Sequence, residues 1–443
     1  MPGGFVVVPP APRVVLRDAR VPRCLLDGAP AGLTAASDEL AQVDLALHDG
    51  LVAAVRPPAS APLDGEAVVD LTGGQVWPGF VDVHTHLDKG HIWPRAENPD
   101  GTFAGAMAAV EADRAANWTA EDIARRMEFG LRCAYAHGTV ALRTHLDSLA
   151  PQHRVSWPVF RALRQAWQGR IALQASSIVM LDRLTGPFGD ELADLVADAG
   201  GILGVVTAMT PGLDGQLDRL FALAESRGLD LDLHADESGD AGAATLRHIA
   251  RAGRRSRFTG RVLIGHCCSL AVQPADEVER TLDLVAAAGL AVVSLPLCNL
   301  YLQGRLPGQT PRWRGVTLLH ELRARGIPVA LASDNCRDPF HAYGDLDPLE
   351  VFSQAARIAH LDRPIGTWPA AVTRVPADLM GRPDAGRVAV GCSADLVLFS
   401  ARSYSELLSR PQADRVVLRA GRTIETTLPD YRELDDLFGR RTP

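Results

Sequence analysis

From about residue 78 onward, short apolar runs alternate with amphipathic segments. The runs are GFVDVHTH (79–86), TVALRTHLD (139–147), RIALQASSIVM (170–180), GILGVVTAM (201–209), LDLDLHADE (229–237), RVLIGHC (261–267), LAVVSLPL (290–297) and IPVALASDN (327–335). Each is short for a helix and mostly apolar on both faces, which is how a strand buried in a parallel sheet reads. TAEDIARRMEFGLRCAYAHG predicts a helix with Thr119 as N-cap, Glu121 and Asp122 in the first turn, and Gly138 just past the end. PADEVERTLDLVAAAG predicts another, opened near Pro274 and stopped at Gly289. Eight strands alternating with helices predict an α/β chain folded as a (β/α)8 TIM barrel over residues 78–380. A doubly wound open sheet is the competing reading, disfavoured because no GxGxxG turn follows the first strand.

The flanks have a different texture. Residues 13–77 read as short strands punctuated by turns, with a hairpin at Asp49-Gly50, and residues 387–424 look the same. The segments 1–77 and 381–443 are therefore expected to meet as one small β-sandwich domain formed from both chain ends. Two segments read as long loops, 88–118 after the first barrel strand and 298–315 after the seventh. Both belong at the C-terminal face, where barrel enzymes build their sites.

Composition narrows the function classes. A formal charge of −8 is unsuited to holding nucleic acid or an anionic membrane. The densest basic run, RAGRRSR (251–257), reads as a solvated helix end. Seven cysteines without a CxxC pair fit reduced thiols in a cytoplasmic protein. The N-terminal stretch has no signal-peptide pattern, and no apolar run approaches the ~20 residues of a membrane span. A small-molecule partner is expected, and a homo-oligomer is compatible with everything so far.

The candidate chemistry lies at the strand ends. In a strand, residues i and i+2 share a face, so His84 and His86 project together into the expected mouth. Two neutral imidazoles on one face suit a divalent metal, although an HxH pair by itself more often marks exposed or core histidines. The odds change because His234 closes the fifth run, His266 the sixth and Asp334 the eighth. Metal-assisted hydrolysis needs a carboxylate to carry a proton, and Glu237 stands three residues past His234. Exposed loop carboxylate is its bland alternative, and helix cap is that of Asp334. His145 is read as support for the metal ligands, and His91 and His341 as mouth-loop residues able to touch substrate. Lys89 is the one lysine in the chain.

Together, PGFVDVHTHLDKG, LHADES, IGHC, PLCNLYLQGR and LASDNCRDPF resemble the amidohydrolase superfamily, in its cytosine deaminase branch, over nearly the whole chain and in the same order. HxH is common to that superfamily, whereas the HxDE, PLxNxxLQGR and SDNxxDP stretches are much more specific. The resemblance implies a metal-dependent hydrolase of non-peptide carbon–nitrogen bonds that removes an amino group from a small nitrogen heterocycle. It implies His84, His86, His234 and Asp334 as ligands of one divalent ion per chain, Zn2+ or Fe2+. Glu237 becomes the proton shuttle, aided by Asp334, and His266 polarises the attacking water or the substrate. Two-metal relatives bridge their ions with a carboxylated lysine on the fourth strand, and GILGVVTAM has none. Lys89 is then expected at the pocket rim, binding a substrate oxygen or anion, or else paired on the surface with Asp88 or Glu97. Asn335, Gln303 and Met180 complete the expected substrate contacts.

Two departures bear on the substrate. The family's ring-reading glutamine after the third strand is missing, since Gln174 lies inside that strand, and Asn335 stands where cytosine deaminase has a second aspartate. HLDK with SDN resembles the N-isopropylammelide aminohydrolase subgroup. The expected substrate is a planar aminated ring bearing carbonyl oxygens. The alternatives are a triazine N-alkylamine aminohydrolase and a two-metal cyclic-amide hydrolase.

Overall fold

The computed structural model of the chain describes residues 4–28 and 39–439. Its strands, in chain order, are β1 (Arg13–Pro22), β2 (Leu40–His48), β3 (Leu51–Arg56), β4 (Ala67–Asp70), β5 (Gln75–Pro78), β6 (Phe80–Thr85), β7 (Thr139–Asp147), β8 (Ala172–Ile178), β9 (Leu203–Val206), β10 (Leu231–Ala235), β11 (Val262–His266), β12 (Ala291–Ser294), β13 (Val329–Leu331), β14 (Leu396–Phe399), β15 (Val416–Arg419) and β16 (Arg422–Thr423). The described residues fall into two compact units. One takes in Met1–Asp82, Arg132–Ala141 and Asp347–Leu428, the other Val83–Leu131, Leu142–Leu346 and Pro429–Pro443.

In the first unit, strands from both flanks share one sheet, in the order β16-β15-β14-β5-β1-β2-β3, with β4 added on β1. The predicted hairpin is present: His48 pairs with Leu51, and Asp49 and Gly50 both take positive φ, 48° and 83°. A two-residue turn of that hand matches the twist of the flanking strands. Alternating side chains such as Val43, Leu45, Leu396 and Leu398 bury one face of the sheet as its core.

The eight apolar runs all form strands, which lie in the second unit but for the opening residues of β6 and β7. β6, β7 and β8 pair in that order, and β9 to β13 form a parallel sheet in chain order. Parallel bridges join the edges of these two sheets, Ser176 to Ile202 and Met180 to Val206 on one side, and Thr85 to Asp334 on the other.

The helices follow their capping signals. Thr119 Oγ1 accepts from the Asp122 N–H at 3.2 Å to start the helix Ala120–His137, and Gly138 ends it at φ 103°. The basic run 251–257 lies at the end of the helix Thr245–Ser256, as expected. The two expected loops need correction. Residues 88–118 contain α1 (Phe103–Asn117), capped by Thr102, whose side chain accepts from the Gly105 N–H at 3.0 Å. The chain after β12 opens with a short helix, Pro296–Leu302. Among the described residues, no helix is long and apolar enough to cross a membrane.

Gly204 shows how tightly β8 and β9 approach. A Cβ there would stand 2.2 Å from both Ser176 Oγ and the Ser177 carbonyl, and 2.8 Å from the Asp232 carbonyl. Backbone cannot retreat as a flexible side chain can. Gly204→Ala is expected to cost at least the roughly 1–3 kcal/mol of core overpacking, read as a lowered thermal midpoint. An unchanged midpoint would mean the strands are looser than described.

Candidate active site

His84 and His86 leave β6 on one face, and the strand ends bring His234 and Asp334 to meet them. Asp334 Oδ1 lies 3.2 Å from His86 Nε2 and 3.5 Å from His84 Nε2. His234 Nε2 lies 3.4 Å from His86 Nε2. All four side chains are buried. Asp334 is fixed by its N–H, which donates to the His84 carbonyl at 2.9 Å, and by a left-handed backbone, φ 64°. His266 is held in the same region at φ 69°. Non-glycine residues rarely adopt it, and such strain concentrates at functional sites.

These donors fit a divalent ion. Both Asp334 carboxylate oxygens, His84 Nε2 and His266 Nε2 are buried and have no hydrogen-bond partner among the described residues. A carboxylate and imidazole nitrogens converging without donors is the set a hard-to-borderline cation satisfies, and N/O ligands suit zinc or iron. Burial, reinforced by the Lys89 cation, lowers His86 to about 4. Burial, with His84 alongside, holds His234 well below the usual histidine range. Both shifts favour the neutral imidazole, the form that ligation requires. Burial pushes Asp334 upward, but the facing imidazoles of His84 and His86 outweigh it and keep its carboxyl well below the ordinary value.

His145 lies against His84. Its Nε2 is 3.1 Å from His84 Nδ1. Beneath it, Arg143 Nη1 donates to Asp232 Oδ2 at 2.8 Å. A partner on the far nitrogen fixes the tautomer and direction of a ligating imidazole. Gly265 completes the seat: a Cβ there would sit 3.0 Å from His84 Cε1.

Glu237 lies beside His266, with Oε1 3.3 Å from His266 Nδ1. Asn299 Nδ2 donates to that oxygen at 3.2 Å and lies 3.0 Å from the same histidine nitrogen. Burial, and then the Asp334 charge, raise the Glu237 carboxyl well above the usual range. Burial takes His266 down to about 3. Gln303 donates from Nε2 to the Glu237 carbonyl at 3.2 Å, so it braces the loop. It is not among the residues lining the cavity.

Lys89 is placed differently from expectation. It is buried, 5 % exposed, and its Nζ pairs with Asp147 at 2.7 Å rather than with Asp88 or Glu97 on the surface. Burial disfavours its charge, but Asp147 and Asp88 outweigh that and raise its pKa. It lines the cavity as a fixed cation with His86, His234, Glu237, Asp334 and Asn335. The Asn335 amide donates to Asp338 Oδ2 at 2.7 Å. Met180 lines the same cavity and is 39 % exposed. His91 and His341 do not line it. His91 packs on Phe129 at 4.8 Å, and His341 Nδ1 sits 3.1 Å from the Asn335 carbonyl.

Asp147, Asn299 and Asp232 belong to the site and were not singled out from sequence. Asp147 was within reach, since it follows His145 by two residues and shares its strand face. Asn299 sits inside the PLCNLYLQGR stretch. Asp232 reads from sequence as an ordinary strand residue.

Strand-end histidines with an aspartate, facing a buried carboxylate, form a cluster compatible with a metal ion. The chain belongs to the amidohydrolase family, whose model matches residues 67–157 and 171–426. It is 56 % identical over 98 % of its length, and 99 % of the relative's, to a pterin deaminase of Rhizobium rhizogenes (strain K84 / ATCC BAA-868). It is 26 % identical over 80 % of the chain, and 87 % of the relative, to an N-isopropylammelide isopropyl amidohydrolase of Pseudomonas sp. (strain ADP). A solved 5-methylcytosine deaminase from Klebsiella pneumoniae superposes with a TM-score of 0.79 at 23 % identity, covering 94 % of this chain and 98 % of that one. The protein is thus a hydrolase acting on carbon–nitrogen bonds.

Proposed function

We propose that this chain is a hydrolytic deaminase whose substrate is a pterin, a fused-ring amine with a neighbouring carbonyl. Deamination of a small nitrogen heterocycle is the function expected from the sequence, and it stands. The narrower choice of pterin over cytosine or a triazine rests on one observation, 56 % identity to a pterin deaminase over nearly the full length. The eight strands are read as a closed (β/α)8 barrel, supported by the bridges that join both sheet edges. The composite sheet is read as the sandwich expected from both chain ends, supported by β1, which pairs with β4 through its first half and β5 near its end. The boundaries 1–77, 78–380 and 381–443 are kept as the proposed domains. Seven unbridged cysteines support a cytoplasmic setting.

His84, His86, His234 and Asp334 would hold one divalent ion per chain, zinc or iron. Such an ion supplies Lewis acidity and lowers the pKa of water toward neutrality. Glu237 takes a proton from the attacking water as its oxygen adds to the ring carbon bearing the amine. Its raised pKa lets it keep that proton and deliver it to the amine nitrogen. The carbon–nitrogen bond then breaks, ammonia leaves and the carbon becomes a carbonyl. Asn299 holds Glu237 and His266 in register, and His266 polarises the oxygen that forms. Lys89, with Asn335 beside it, faces the ring carbonyl.

Ammonia release from pterin, cytosine and an ammelide-type triazine, on wild type and Lys89→Ala, tests this reading. Pterin is expected to have the highest kcat/KM, and Lys89→Ala to lower it by roughly tenfold or more, as expected when a buried polar contact to substrate is lost. Strong preference for cytosine with Lys89→Ala unchanged would restore the plain cytosine label.

A further inference from the structure

Apolar residues on the surface of a soluble protein are ordinary when single, but several sharing one cavity with a catalytic centre call for a reason. α1 carries Phe103, Met107, Val110 and Arg114 at helical spacing, so they form one stripe, and all four line the cavity that reaches His86, His234 and Glu237. Phe103 is 40 % exposed and Met107 46 %, and Met180, arriving from the end of β8, is 39 % exposed. The stripe is anchored to the polar end. Arg114 Nη1 pairs with Asp147 at 2.8 Å, the same carboxylate that holds Lys89. Phe103 meets Phe340 edge-on, centroids 5.5 Å apart, and the Phe340 ring lies 5.5 Å from Lys89 Nζ.

The cavity lining therefore holds two kinds of region: polar groups able to handle an amine and a carbonyl, Lys89, Glu237 and Asn335, and the apolar side chains Phe103, Met107 and Met180, left uncovered, with Glu111 and Arg114 the charged residues α1 adds. A ring that presents its amine to Glu237 needs only the first region. A second fused ring has to lie against the other. We infer that Phe103 and Met107, with Met180, seat the second ring of a fused-ring substrate, and that α1 is the element selecting fused-ring over single-ring amines. This rests on the pterin reading above. Aromatic and thioether side chains suit the task, since offset ring stacking and sulfur–ring contacts are favourable and tolerant of substituents on the ring.

The test compares pterin with 2-aminopyrimidin-4-one, which carries the same amine and carbonyl on a single ring. Both are assayed on wild type, Phe103→Ala, Met180→Ala and the conservative Phe103→Leu, with lumazine and uracil, the corresponding products, as inhibitors. The ratio of kcat/KM for pterin over the single ring is expected to fall by about tenfold or more in Phe103→Ala and Met180→Ala, mainly through KM. The inhibition constant of lumazine should rise in step relative to that of uracil, and Phe103→Leu should recover most of the ratio. If both ratios stay within about twofold of wild type while pterin is still deaminated, the inference fails and the pterin reading survives. If wild type leaves pterin untouched, the pterin reading fails and takes the inference with it.

Discussion

Glu237→Gln is expected to lower turnover by roughly 10²–10⁴-fold, the range lost when general acid–base catalysis is removed, while metal content and product binding stay near wild type. Gln keeps the shape and can still accept from Asn299, whose Nδ2 lies 3.2 Å from Glu237 Oε1. What it cannot do is hold the proton. Burial and the Asp334 charge raise the Glu237 carboxyl and so favour its protonated form, and a proton must travel from water to a poor leaving group for the amine to depart. Steady-state kinetics, elemental analysis and a lumazine titration on the same preparation separate the outcomes. Activity within a few-fold of wild type would move the proton shuttle elsewhere, His266 being the nearest alternative at 3.3 Å.

Removing two of the proposed ligands should be harsher. His84→Ala with His86→Ala is expected to lose both bound divalent metal and activity. The loss should exceed the roughly 10–100-fold cost of losing a supporting partner of a ligand, which is the effect expected of His145→Ala alone. The two cases separate on metal content. The double variant lacks the two imidazole nitrogens that converge on Asp334 Oδ1, whereas His145→Ala leaves the proposed ligands present and frees only the His84 Nδ1 side, 3.1 Å away. Full metal content in the double variant would break the ligand assignment. A density map showing two ions joined through a carboxylated lysine would break the expectation of one ion per chain; Lys89, the one lysine, is engaged by Asp147 at 2.7 Å.

By itself the sequence determined the eight strands of the second unit, the flanking β segments and the ligand candidates, because each rests on a local period. His84 and His86 share a face by the two-residue repeat of a strand, and His234, His266 and Asp334 each close an apolar run. Thr119 and Gly138 marked a helix by the same local means, and α1 was legible too, with Thr102 as its cap and Phe103, Met107 and Val110 at helical spacing, but the segment was read as loop. Tertiary structure alone decided which groups meet. Lys89 turned from a rim residue into a buried cation only because the end of β7 carries Asp147 to it. Asn299 reached Glu237 across 62 residues of chain, and Gln303 turned inward to brace the Glu237 carbonyl. Such pairings depend on which strand ends become neighbours when the sheets associate, and on how burial sets the cost of leaving each charge alone. Neither quantity is written in the spacing of residues along the chain.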